Sequence, residues 1–354
     1  MCIYVIAAAL LACVLPPSYG NPPTTMAQNK VLVSSKDFPE SGLKVLQDNN
    51  FTVVQTQFLN FGEEGKTKNN EELLKLIPGS SALIWVSNLP LSTELLDKAG
   101  PQLKIVATAS AGYNHCNVNE LKSRGIKLSN TPNVLSPAVA EIAVSLVLAA
   151  ARRFTENLDQ VRRGEWEIGF DKVLGQDVRG STFGIVGLGG IGQAVVRRLA
   201  GFEVGRFLYT GHREKPEGKE LKAEFVALDE LLAQSDFVVL AVPLTEETRH
   251  MINSTTLGKM KKNAILVNVG RGDLVDQDAL YDALKNKQIY AAGLDVTTPE
   301  PLPKDHKLLS LSNLFVLPHV GSATVRTRSD MAVLAANNVV KVLNGEKLLT
   351  PVLD

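Results

Sequence analysis

From residue 30 onward, short runs rich in β-branched and apolar residues alternate with stretches whose apolar positions recur every three or four residues. VLVS (31–34), FTVVQ (51–55), ALIWV (82–86) and LKIVATA (103–109) read as strands. Helical spacing follows the first three, at 43–48, 71–77 and 92–99, with Ser92 as N-cap of the last; a polar loop follows the fourth. A second series opens with STFGIVG (181–187). Its further strands are expected at 206–210, 224–226, 237–242, 264–269, 290–295 and 314–317, with helices at 192–200, 229–234 and 277–286, and a last helix at 331–343. Most of these strand runs are apolar throughout, as happens when helices cover both faces of a parallel sheet. The pattern predicts an α/β protein with two doubly wound parallel-sheet domains. Between the two series lies SPAVAEIAVSLVLAAARR (136–153), with Pro137 near its start. A helix this apolar on all faces is buried, whether at a domain junction, at a subunit interface or in an ordinary core.

Length and composition agree with that picture. The chain has 354 residues, enough for two domains, with 45% hydrophobic and 21% charged residues. Lys+Arg and Asp+Glu both number 37, which excludes a nucleic-acid surface or a polybasic membrane patch as the main feature. Any positive field is local, and suits a small anionic ligand. Of the cysteines Cys2, Cys13 and Cys116, two fall in residues 1–25, so Cys116 would stand alone in a chain lacking them. That points to a reducing compartment. The apolar run 3–15 is too short to span a bilayer, and no Lys or Arg precedes Lys30. Small residues at 18–20 offer a signal-peptidase cut, whereas MAQNKVLVSS from Met26 reads as a natural start. Residues 1–25 are treated as a leader or dispensable extension, and a cytosolic protein is expected over a secreted one. The sequons at Asn50 and Asn253 matter only on the secretory route.

Gly187-Leu188-Gly189-Gly190-Ile191-Gly192 matches G-x-G-x-x-G, following an apolar strand and opening a helix. Gly187 permits the tight turn, Gly189 lets backbone approach a pyrophosphate, and Gly192 lets helix pack on strand. The helix N-terminus then offers N–H groups and a positive dipole end to phosphate. About 20 residues on, NAD enzymes commonly place a carboxylate against the ribose. Here Thr210 and Gly211 occupy that corner, bordered by His212, Arg213 and Lys215. Arg213 can fork onto a 2′-phosphate that a carboxylate would repel, so NADPH is expected, with NADH the weaker alternative.

Three further segments fall where expected parallel strands end, the place ligands bind in open α/β sheets. They are VNVGRGDLVD (267–276), GLDVTTPEPLP (293–303) and LPHVGSAT (317–324). Arg271, between two glycines, can grip a carboxylate with two hydrogen bonds. Glu300 lies between two prolines. His319 follows a proline, and a carboxylate beside an imidazole favours its protonated form. Together they fit reduction of a 2-keto acid: Arg271 binds carboxylate and polarises the keto oxygen, His319 protonates it, and Glu300 orients His319. His115 and Cys116 would make a metal pair, but no third or fourth ligand stands at recognised spacing, so no metal is expected.

GLGGIG, SDFVVLAVPLT (235–245), NVGRGDLVD, GLDV…PEPLP and LPHVGSAT make the chain resemble the D-isomer-specific 2-hydroxyacid dehydrogenases from about Lys30 to the C-terminus. ASAGYNHCNV (109–118), YTGHREKPE and HVGSATVRTR are similar to the glyoxylate reductase/hydroxypyruvate reductase branch. The resemblance implies a flavodoxin-like substrate domain from 26–130 plus 319–354, and a Rossmann cofactor domain from 131–318. It implies catalytic Arg271, Glu300 and His319, with Ala111 and Gly112 meeting substrate through their backbone. Cofactor contacts are implied for Gly190, Ile191, Gly192, Arg213, Pro243, Val269 and Gly321, and Asp295 is implied near the nicotinamide. The implied partner is a small 2-keto acid and the implied assembly a homodimer, with 136–153 near its interface. Two departures stand out: many members carry Arg or Lys where this chain has Gly190, and 168–177 fits the family pattern poorly. A bulkier 2-keto acid is the alternative substrate. A dinucleotide-sensing binding protein, like the corepressors built on this fold, is the alternative class.

Overall fold

The structure is a computed structural model that describes residues 29–58, 62–87, 89–166 and 173–353. Residues 1–25 and the first part of 168–177 lie outside the described residues. In the first half, β1 (Lys30–Val33), α1 (Glu40–Asp48), β2 (Thr52–Gln55), α2 (Gly62–Leu76), β3 (Ala82–Trp85), α3 (Thr93–Ala99), β4 (Ile105–Thr108), α4 (Val118–Ser123) and β5 (Lys127–Ser129) follow one another. Two helices, α5 (Ser136–Ala151) and α6 (Phe154–Arg163), then lead into the second half. That half runs β6 (Thr182–Val186), α7 (Gly190–Leu199), β7 (Arg206–Thr210), α8 (Pro216–Glu220), β8 (Ala223–Phe225), α9 (Leu228–Gln234), β9 (Phe237–Leu240), α10 (Ser254–Leu257), β10 (Ile265–Asn268), α11 (Gln277–Lys285), β11 (Ala291–Leu294) and β12 (Leu314–Val316). The chain closes with α12 (Val325–Leu343) and β13 (Pro351–Leu353).

The first sheet has the order β13-β5-β4-β3-β1-β2, which contains the flavodoxin-like 2-1-3-4-5 arrangement; the second, β12-β11-β10-β9-β6-β7-β8, contains the dinucleotide-binding 3-2-1-4-5-6 arrangement. All pairings are parallel except β13 with β5. That one antiparallel strand departs from the all-parallel expectation. It sits at the sheet edge, where the missing N–H of Pro351 breaks no ladder.

Other departures have local causes. The expected polar loop after β4 contains α4, capped by Asn117, whose Oδ1 accepts from Glu120 N at 3.1 Å, and the three-residue strand β5. α2 begins at Gly62 rather than 71; its first turns, rich in Lys, Asn and Glu, carry no apolar stripe to mark them in the sequence. α12 begins at Val325 rather than 331, where Thr324 Oγ1 accepts from Thr327 N at 3.1 Å. α6 was not foreseen: its residues are all at least partly exposed. Ser92 does cap α3, accepting from Leu95 N at 3.2 Å.

The two long helices pack on different sheets. Ala332, Ala335, Ala336 and Val339 of α12 are buried with Val31, Ile84 and Ile105 of the first sheet. Ala140, Ala143, Leu146 and Val147 of α5 are buried with Phe183, Ile185 and Ile265 of the second. Phe183 stacks on Phe237 with ring centres 4.5 Å apart, and truncating such a buried ring costs about 3–5 kcal/mol. The chain therefore crosses between the sheets twice, once between β5 and α5 and once between β12 and α12. A cleft of about 870 Å³ lies beside both crossings. It is lined from the C-terminal ends of β3, β4, β10, β11 and β12. Among the described residues no helix is long and apolar enough to cross a membrane.

Candidate active site

Arg271 leaves the end of β10 in a loop held by a buried amide. Asn268 Nδ2 donates to Arg271 O at 2.8 Å, and Asn268 Oδ1 accepts from Gly270 N at 3.0 Å. The guanidinium donates from Nε to Asn114 Oδ1 at 3.1 Å and from Nη1 to Gly270 O at 2.7 Å. Both acceptors are neutral, so the charge is oriented without being cancelled. Burial pulls the Arg271 pKa below the ordinary arginine value, against the attraction of Glu300. Gly112 touches it so closely that a Cβ there would stand 2.1 Å from Nη2. The 110–112 loop approaches the guanidinium so closely that a side chain at 112 would displace the end of Arg271.

His319 follows β12 in the left-handed region (φ 55°), uncommon for a residue with a side chain. Asp295, at the end of β11, holds this turn. Its carbonyl accepts from His319 N, its Oδ1 from Val320 N and its Oδ2 from Gly321 N, each at 2.8 Å. Burial raises the Asp295 pKa, opposed by the Val320 N–H and the nearby His319.

Glu300 Oε2 lies 2.8 Å from His319 Nδ1, and its Oε1 accepts from Thr297 N at 3.2 Å. Burial alone would raise Glu300, but the bond to and charge of His319, the Thr297 N–H and Arg271 hold it below the usual glutamate value. The Glu300 loop is pinned from α11: Gln277 Nε2 donates to Thr298 O, and Gln277 Oε1 accepts from Thr298 N at 3.0 Å.

Arg271, Glu300, His319, Ala111, Ile191, Val269, Asp295 and Gly321 all line the one cleft. Gly112 sits behind Arg271. Gly187, Gly189, Gly190 and Gly192 form the turn from β6 into α7. Gly187 has φ 98°, and a Cβ on Gly192 would stand 2.1 Å from Gly187 O, whereas nothing lies within 4 Å of a Cβ built on Gly189. The turn thus closes tightly on itself and leaves its outer side open, a cradle that fits a dinucleotide phosphate. His212, Arg213 and Lys215 stand beyond it at the end of β7, the first two exposed and Lys215 half-buried. Pro243 is exposed outside the cleft lining, and its carbonyl accepts from Thr248 Oγ1 at 2.8 Å.

Asn114 and Asn268 were missed in the sequence. Asn114 is an amide in a loop that only the fold brings onto Arg271, whereas Asn268 closes β10 three residues before it. His115 and Cys116 are buried beside them. Burial, then the Arg271 charge, pushes His115 down to about 4, and burial pushes Cys116 up to about 12. The imidazole is thereby kept neutral, while the thiol is kept protonated, the form that does not ligate a metal. Among the described residues no three His, Cys, Asp or Glu side chains group as one.

Residues 144–321 match the family model of the D-isomer specific 2-hydroxyacid dehydrogenase NAD binding domain. Over 280 residues, 78% of this chain and 85% of the relative, the chain is 47% identical to a glyoxylate reductase/hydroxypyruvate reductase of Homo sapiens. It is 45% identical over 323 residues to a glyoxylate reductase of Thermococcus onnurineus, covering 90% of this chain and 93% of the relative. The fold is similar to that of an NADPH-dependent glyoxylate/hydroxypyruvate reductase from Sinorhizobium meliloti in complex with NADP and malonate. That comparison has a TM-score of 0.78 at 32% identity and covers 92% of this chain and 97% of that one. With its glycine turn, its paired imidazole and carboxylate and its buried guanidinium, the chain belongs to the D-isomer-specific 2-hydroxyacid dehydrogenases and is an NAD(P)-dependent oxidoreductase.

Proposed function

We propose that this enzyme uses NADPH to reduce glyoxylate to glycolate and hydroxypyruvate to D-glycerate, with His319 as the proton donor. The observation that carries the reading is the convergence of Arg271 and the Glu300–His319 pair on one cleft, in a chain whose relatives are named for these two substrates. The first sheet with α12 serves as the substrate domain, and the second sheet serves as the cofactor domain.

The reduced nicotinamide, when bound, supplies a hydride to the keto carbon. Arg271 takes the substrate carboxylate, and its charge is available because Asn114 and Gly270 O orient it without neutralising it. The backbone at Ala111 and Gly112 borders the same carboxylate. As the carbonyl π electrons move to oxygen, Arg271 stabilises the growing negative charge. His319 Nε2 gives that oxygen a proton, while Nδ1 stays on Glu300. Glu300, ionised because its pKa is depressed, stabilises the imidazolium before transfer. Arg213, with His212 and Lys215 beside it, would hold the 2′-phosphate. Pro243, Val269, Asp295 and Gly321 would border the rest of the cofactor.

The enzyme is proposed to act in the cytosol as a homodimer. In support, α6 presents Phe154, Leu158 and Val161 exposed on one face, with exposed Trp166 following. Such a stripe calls for a covering partner. The test is steady-state oxidation of each cofactor with glyoxylate, hydroxypyruvate and a branched 2-keto acid. The expected result is turnover of the first two with a lower KM for NADPH than for NADH. NADPH binding with no turnover on any 2-keto acid would overturn it in favour of a sensor.

A further inference from the structure

The glycine turn is only one side of the phosphate cradle. Gly190 is the first residue of α7, and a Cβ built on it would stand 2.8 Å from Ser136 Oγ and 2.6 Å from Asn133 Oδ1. Ser136 is itself the first residue of α5. The two helices therefore start side by side. They also run in the same direction: Glu141, five residues on in α5, pairs with Arg198, eight residues on in α7, at 3.0 Å. Neither helix has a side chain capping its N-terminus. Two positive dipole ends thus converge on one point beside the open face of the turn.

The side chains at that point have no other employment. Ser136 is 6% exposed, yet its hydroxyl makes no hydrogen bond among the described residues. The exposed Asn133 amide has none either. Asn133 is held in the left-handed region (φ 66°), with its carbonyl accepting from Ser136 N at 3.0 Å, and this turn directs both side chains to Gly190. Leu135 and Val139 from the same turn of α5, and Ile191 from α7, line the cleft. The cradle therefore opens where a dinucleotide must pass.

We propose that Asn133 and Ser136, on the segment where the chain crosses between the sheets, are pyrophosphate ligands of the bound dinucleotide. They occupy the space that a long basic side chain at 190 would need. Gly190 thus exchanges a cationic phosphate contact for two neutral donors and a second helix N-terminus. One consequence is that cofactor binding tethers the crossing segment as well as the cofactor domain. The inference rests on the dehydrogenase reading but not on the choice between NADPH and NADH, since both carry the pyrophosphate.

The test is fluorescence titration of NADPH, NADH and 2′-AMP with the full chain carrying Ser136→Ala, Ser136→Thr or Asn133→Gly. Glycine at 133 keeps the left-handed backbone. Loss of the hydroxyl or the amide should raise Kd about tenfold for NADPH and NADH by the same factor. Ser136→Thr should bind like the parent, and 2′-AMP, which lacks a pyrophosphate, should bind every variant alike. NADPH and NADH affinities within twofold of the parent in both Ser136→Ala and Asn133→Gly would overturn the proposal. So would weakening of NADPH alone, or Ser136→Thr binding as poorly as Ser136→Ala. A parent that prefers NADH would instead contradict the NADPH assignment and leave this comparison of equal factors intact.

Discussion

The two ends of the cofactor domain are built in opposite ways. Around His319 the groups are tied by the protein itself: Asp295 holds the turn with three bonds, Glu300 holds the ring, and Asn268 and Asn114 hold Arg271. Around Arg213 the side chains are not tied in this way, although the Tyr209 hydroxyl accepts from Lys215 N at 2.8 Å. His212 has only Glu247 at 4.0 Å, and a Cβ on Gly211 would meet nothing within 4 Å. The proposed chemical end is organised by the protein's own bonds, and the proposed recognition end is left open. Preorganised charge acts without reorganisation cost at the moment of reaction, whereas exposed cations are screened and adaptable.

That contrast is easiest to break at the tied end. His319→Ala should lower kcat roughly 10²–10⁴-fold, the usual worth of a positioned general acid, while NADPH titration stays near the parent value. A fall of less than tenfold would mean that another group donates the proton. Arg271→Gln should lower kcat/KM by roughly 10²–10³-fold, with most of the loss in KM, because two charge-assisted bonds to the carboxylate go at once. Gly112→Ala leaves the guanidinium in place chemically but forces Nη2 to move. It should cost up to about 10²-fold in kcat/KM with little change in melting temperature. Retained activity there would show that Arg271 tolerates displacement and is less tightly organised than its bonds suggest.

At the untied end the effects should be smaller and selective. Arg213→Ala should raise the KM for NADPH about tenfold and leave that for NADH within about twofold, since only the 2′-phosphate contact is lost. The penalty should shrink as salt is added. An equal loss for both cofactors would relocate Arg213 to the common part of the dinucleotide.

Legibility in the sequence followed the same division. The alternating strands and helices were readable because burial on both faces leaves continuous apolar runs, as in β9 and β10, and because α7, α11 and α12 carry an apolar stripe. Arg271, Glu300 and His319 were readable because each follows a strand in a Gly- or Pro-marked loop. α4 and β5 were not, since six- and three-residue elements hold too few positions for a period to show. Asn114, Asn133 and Ser136 were not, because an amide or hydroxyl acquires such a place only when distant segments close on it, and Asn268 was not, because the last residue of a buried strand carries no mark of the loop it holds. β13 was masked by Pro351, which argues against a strand everywhere except at an edge.

The central claim is that His319 and Glu300 act as one unit, and a double-mutant cycle on kcat tests it most directly. Glu300 is held ionised below the ordinary glutamate range, so its negative charge should face His319 throughout the neutral range. In Glu300→Gln the neutral amide offers no such charge, and the alkaline limb of the kcat/KM profile should move to lower pH. The account predicts that the double variant Glu300→Gln/His319→Ala is no slower than His319→Ala alone. Additive losses, with an unmoved alkaline limb in Glu300→Gln, would contradict it.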